Sequence, residues 1–135
     1  MRDHENALQK MLIAHLRGDG ALRALLGEPA RIWDEPPPAP AHPHLLIGRA
    51  ESRPVAADGC GVEHALTLTC VSRFGGTEEA KAVSAAARAR LYEAALEADG
   101  VRTVSLRVTF SDVFRTGDLR RTYAVIRVRA VTEEI

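Results

Sequence analysis

Near the start of the chain Leu8, Met11, Leu12, His15 and Leu16 recur at i, i+3, i+4 spacing. That spacing predicts an amphipathic helix, capped by Asp3 and closed at Gly18. Asp19 is placed to cap a second, shorter helix through Leu22, Leu25 and Leu26, stopped by Gly27 and Pro29. Ile32-Trp33 follows as a brief extended segment. The period then changes to two. Leu45 to Arg49 reads as the first full strand and Val62 to Arg73 as the second, with His64, Leu66, Leu68 and Cys70 on one face and Thr67 and Thr69 on the other. Gly75-Gly76 breaks that strand, and helical spacing returns through Ala80, Val83, Ala87, Leu91, Ala94 and Ala98. Thr77 is the expected cap, Glu78 and Glu79 suit the helix dipole, and Gly100 is the expected stop. Lys81, Ser84 and Arg88 mark the wet side of this helix.

Two strands close the chain. Val104, Leu106, Val108 and Phe110 alternate with Thr103, Ser105, Arg107 and Thr109. Ala124, Ile126, Val128 and Ala130 alternate with Tyr123, Val125, Arg127 and Arg129. The pattern predicts one α+β domain over residues 1–135: an antiparallel sheet of about four strands with two main helices packed on one face. The other face is expected to be polar and to carry arginine.

Three connections stand out. Pro36 to Pro43 is a stiff spacer. Glu51 to Gly61, with Arg53 and Asp58, reads as a mobile loop longer than its structural task requires. Ser111 to Asp118 reads as a hairpin loop with Phe114, an apolar group, at its tip. A loop as long as Glu51–Gly61 in a compact domain is often functional or ordered by a partner.

The 46% apolar and 27% charged composition is that of a globular protein, and 4% aromatics leaves the core to Leu, Val, Ile and Ala. The formal net charge is zero, which argues against a general nucleic-acid binder. No helix-turn-helix pattern supports a DNA-binding regulator either. The charged N-terminus lacks a signal-like apolar run and no stretch is long enough to span a bilayer, so a cytoplasmic protein with free thiols at Cys60 and Cys70 is expected, without a membrane partner.

The one chemical cluster worth weighing is a metal site. His42, His44, Cys60 and His64 are zinc-ligand types, with Cys60-x-x-x-His64 at a usable spacing. But His42 and His44 flank Pro43, paired cysteines are missing, and His64 points into the core while Cys60 lies in a loop. Cys70 and His64 share a strand face six residues apart, too far for a nucleophile and its base. No catalytic residue, metal or cofactor is expected. What remains is the arginine stripe of Arg107, Arg127 and Arg129, with Arg102, Arg115, Arg120 and Arg121 near the ends of the same hairpin.

Several pieces occur in a telling order: a Leu-rich N-terminal helix, Ile32-Trp33-Asp34 with its prolines, the Leu45–Gly48 strand, and the Leu66–Arg73 strand ending at Gly75-Gly76. An Ala-rich helix and a hairpin ending Arg127-Val128-Arg129-Ala130 complete it. Over nearly its whole length the chain resembles the tail-completion, or tail-terminator, proteins of long-tailed phages, a family also found in gene transfer agents. It differs in carrying His44 where an aromatic is common. The resemblance implies a structural protein that assembles as a ring, of six copies, on the head-proximal end of the tail tube. It implies that the ring stops tube polymerisation, joins a head-completion or neck protein, and lets DNA pass through its hole. It further implies assembly in the bacterial cytoplasm before incorporation at the neck of a phage-like particle. Arg107, Arg127, Arg129, Arg115, Phe114, Arg53 and Asp58 are the candidate interface or channel residues. Another neck or minor tail component is the nearest alternative, and a small enzyme or metal-binding domain is a more distant one.

Overall fold

The computed structural model describes residues 2–55, 61–118 and 120–135. Its elements are α1 (His4–Arg17), α2 (Gly20–Leu26), β1 (Ile32–Trp33), β2 (His44–Pro54), β3 (Gly61–Ser72), α3 (Glu78–Leu91), β4 (Glu97–Ala98), β5 (Val101–Arg115) and β6 (Thr122–Glu134). Both predicted N-caps form: Asp3 accepts from the Asn6 amide and Asp19 from the Leu22 amide. Thr77 precedes α3 but its side chain makes no capping bond.

The strands form one curled, half-barrel sheet in the order β1-β2-β3-β6-β5-β4. The α+β class holds, but the expected antiparallel sheet of four strands is incomplete. The four long strands are mutually antiparallel as β2-β3-β6-β5, whereas β1 pairs parallel with β2, β4 adds a second short edge, and there are three helices. Two-residue strands carry no alternation for a sequence pattern to detect.

The helix over Ala80–Ala98 is also shorter than its periodicity suggests. It stops at Leu91, Glu93 takes a positive φ of 52°, and Glu97–Ala98 pair with β5. The Leu96 amide and carbonyl are engaged by Thr103, so sheet-edge pairing replaces a further helical turn. Ala94 and Ala98 still pack on the core from this turn. Ser84, expected on the wet side of α3, is buried.

The core lies between the helices and the inner sheet face. Leu8, Leu12 and Leu16 of α1 meet Leu22 and Leu26 of α2, Val83 and Leu91 of α3, and Leu45, Leu68 and Ile126 of the sheet, all effectively sealed from water. Burying each such side chain contributes about 1.5–3 kcal/mol.

Two connections are shorter than the sequence suggests. β2 and β3 form a long hairpin, so Glu51–Pro54 are strand residues paired with Val62–Ala65 rather than loop. Asp58 and Cys60 lie outside the described residues. Likewise Ser111–Arg115 belong to β5, paired with Thr122–Ile126. Phe114 is therefore not at a loop tip; it sits on a strand opposite Tyr123.

β5 departs from strict alternation at two bulges, after Thr103 and after Val108. Each inserts one residue and flips the side-chain parity. The inward positions pass from Val101 and Thr103 to Leu106 and Val108, then to Val113. Val104 and Phe110, expected beside Leu106 and Val108, are turned outward and are 58% and 49% exposed.

Candidate assembly surface

The helices cover one face of the sheet, and Arg53, Arg107, Arg127, Arg129 and Phe114 collect on the other. The register sets them in cross-strand rows. At one end, Glu51, Ala65, Arg129 and Arg107 form a row across β2, β3, β6 and β5, and Arg53, Glu63 and Val131 form the next. Arg127 and Phe110 face each other on the neighbouring row. Most charges here are matched. The Glu63 carboxylate accepts from Arg53 at 3.0 Å and pairs with Arg129 at 3.1 Å. Arg49 and Glu51 pair at 2.8 Å. The Arg127 guanidinium sits 5.3 Å from the centre of the Phe110 ring, a cation–π contact. Arg107 is the exception: it faces Arg129, a like charge, and has no acidic partner among the described residues. A shallow depression of about 420 Å³ opens beside Arg49, Arg127 and Arg129.

The opposite end of the same face is different in kind. His44, Val71, Tyr123 and Phe114 form one row, and Leu46, Thr69, Val125 and Asp112 the next. The Phe114 and Tyr123 rings meet at 5.7 Å. Trp33 of β1 contacts His44, which contacts His42 at 4.7 Å. Burial holds the His42 imidazole below its usual range, and His44, Arg73, Arg121 and Arg31 push it the same way. Sequence reasoning missed this apolar end. The signal was available, because Tyr123 and Val125 alternate onto the same face as Arg127 and Arg129.

The other candidates are dispersed. Arg115 lies at the end of β5 opposite Thr122, well along the sheet from Arg107. Arg102 pairs with Glu133 at 2.8 Å beyond the Arg53 row. His64 does not approach His42. It is buried on the inner face, where its Nε2 and the Nδ1 of His4 share the Thr132 hydroxyl at 2.8 and 2.7 Å. Burial lowers the His64 pKa, and His4 adds to that shift. Cys70 is also buried, its thiol pushed up to about 12 by desolvation. Among the described residues no three metal-ligating side chains come together.

The geometry is that of a small α+β module with a sealed inner face and an outer face divided into a charged end and a more apolar end. The profile of the tail completion protein gp17 family matches residues 10–133, and the chain belongs to that family. It is a structural protein of a phage-type tail. A chain from the virion of a native gene transfer agent particle has the same fold, with a TM-score of 0.88 at 24% identity, over 98% of this chain and 99% of that one. No curated protein matches the sequence. Among the described residues no helix is long and apolar enough to cross a membrane.

Proposed function

We propose that this protein caps the head-proximal end of a tail tube as a ring of six copies, stops tube polymerisation and presents the surface to which the head is joined. The match to the tail-completion family across residues 10–133 carries the reading. The agreement in fold with a chain of an assembled gene transfer agent particle supports it. The protein acts by shape and charge and makes no covalent bonds. It assembles in the bacterial cytoplasm and ends in the neck of a phage-like particle.

In this reading the outer sheet face is the working surface. Arg107, Arg127 and Arg129 line the channel or meet a neighbouring subunit, and Arg53 on β2 extends that contact; Asp58, outside the described residues, is the remaining candidate. Phe114 faces the tube or the next subunit at the other end, and Arg115, the next residue of β5 and on the opposite face by alternation, borders that contact. DNA passing the arginines needs only weak phosphate contacts, without base reading.

Deletion of the gene in a particle-producing strain tests this directly. Electron microscopy should show overlong or headless tails. Tails of normal length that merely lack heads would assign the protein to the neck instead, and normal joined particles would remove it from assembly.

A further inference from the structure

The apolar end of the outer face combines two features in one place. Its floor is largely apolar: Leu46, Val71 and Tyr123, with Thr69 and the two imidazoles beside them, line an open depression of about 690 Å³. Its rim is cationic. Arg73 and Arg121 stand at the border between this depression and an adjoining one of about 720 Å³. Neither guanidinium makes a close hydrogen bond or ion pair among the described residues, although the charge of Arg121 reaches Asp118 and helps lower its pKa. The charges acting on His42 are all positive: His44, Arg73, Arg121 and Arg31. Asp118 is the one carboxylate lining the pair of depressions, and its Oδ1 already accepts from the Thr116 hydroxyl at 2.6 Å and the Arg120 amide at 3.1 Å.

The geometry points to a docking site on this end of the sheet for a partner polypeptide that presents an apolar side chain flanked by carboxylates. The apolar side chain covers Leu46, Val71 and Tyr123, and the carboxylates take the donors of Arg73 and Arg121. Arginine forks suit carboxylates bidentately. Nucleic acid would use the same cations, but aliphatic carbon at Leu46 and Val71 offers it little, whereas a peptide side chain gains by burial there. The inference rests on these contacts alone and holds for any number of copies in a ring.

Trp33, the only tryptophan, touches His44 beside the site and serves as a reporter. The full-length protein is titrated with a synthetic peptide in which leucine and phenylalanine are flanked by glutamates. Trp33 emission and the amide resonances of His42, Val71 and Tyr123 are followed. Saturable shifts confined to this end are expected. The double variant R73Q/R121Q should bind about tenfold more weakly with an unchanged melting temperature, while R107Q at the other end should bind normally. A peptide with glutamine in place of glutamate should lose most of the affinity, and so should polyglutamate. Equal binding of the glutamine peptide, or no shift at these residues, overturns the proposal. So does a duplex oligonucleotide that binds the site more tightly than the peptide, or self-association lost in R73Q/R121Q with no peptide present.

Discussion

The two ends of the outer sheet face use the same residue type in opposite ways. Around Glu63, arginines are held by the protein's own groups: Arg53 and Arg129 by one carboxylate, Arg127 by the Phe110 ring. Around His42, Arg73 and Arg121 border a largely apolar floor with one nearby carboxylate, Asp118, whose Oδ1 is already taken by the Thr116 hydroxyl and the Arg120 amide. The difference lies in register, because Glu63 is delivered opposite Arg53 by the β2–β3 hairpin, whereas the row through Val71 sets His44, Tyr123 and Phe114 beside it and no carboxylate. A count of arginines therefore does not locate a surface ready for a partner. What locates it is unmatched cations beside apolar surface, since Arg107 at the other end is also unmatched but stands opposite Arg129.

The strongest way to break this comparison is to remove the support both ends share. Leu68 and Ile126 are fully buried, paired to each other beneath the middle of the face. Leu68→Ala should cost about 2–5 kcal/mol in urea unfolding, since the cavity cannot fully collapse. Hydrogen exchange should rise at both ends together. Exchange that rises at one end alone would show two independently stable halves.

Acid should separate the ends. His64 lies on the inner face beneath the arginine end, among His4, Glu5, Thr132 and Glu134. Its folded pKa is lowered, so the folded state binds fewer protons than the unfolded chain, where an imidazole titrates near 6.5. That stability is present above about pH 6.5 and is lost as pH falls toward the lowered folded value. Wild-type stability should thus drop between neutral and mildly acid pH, and His64→Gln should flatten the slope. Thr132→Val, which strips both imidazoles of a shared partner, should cost about 1–3 kcal/mol at neutral pH. An unchanged acid slope in His64→Gln would remove His64 as the source.

Much of this was legible in the sequence. Period-two alternation put His64, Leu66, Leu68 and Cys70 inside and Arg127 and Arg129 outside, as found, and Asp3 and Asp19 mark true helix starts. The errors have local physical causes. Helical spacing at Ala94 and Ala98 is overridden by the Leu96–Thr103 bonds. Polar composition in Glu51–Pro54 and Ser111–Arg115 concealed strand, because exposed hairpin extensions place little in the core. Bulges in β5 carried Val104 and Phe110 across the sheet, and alternation alone cannot locate an inserted residue. The candidate surface was half visible, since arginines announce themselves while matching by Glu63 or Phe110 depends on register.

Smaller changes sharpen the contrast. Glu63→Gln should leave Arg53 and Arg129 facing each other unneutralised. These exposed pairs are screened, so the loss should be about 1 kcal/mol or less and should shrink further in high salt. A salt-independent loss would mean that Glu63 acts through packing. Phe114→Asp removes one ring of a pair that is already 44% exposed, so unfolding should shift by only about 0.5–1 kcal/mol. Assembly onto tails should nevertheless stop. Particles with tails of normal length would take Phe114 out of the interface.

The smallest effect carries the most information because its sign is unusual. Arg107 and Arg129 face each other across β5 and β6, and like charges so placed are destabilising. Arg107→Glu turns the pair into an attractive one and should stabilise the isolated protein by a few tenths of a kcal/mol. The same substitution puts negative charge where the proposed channel or neighbour requires positive. Assembly should therefore fall while the unfolding midpoint rises slightly. Destabilisation would show that Arg107 already has a favourable role within the monomer. A stabilised protein that still assembles normal tails would show that the arginine end faces neither DNA nor a neighbour, leaving the apolar end as the working half of the sheet.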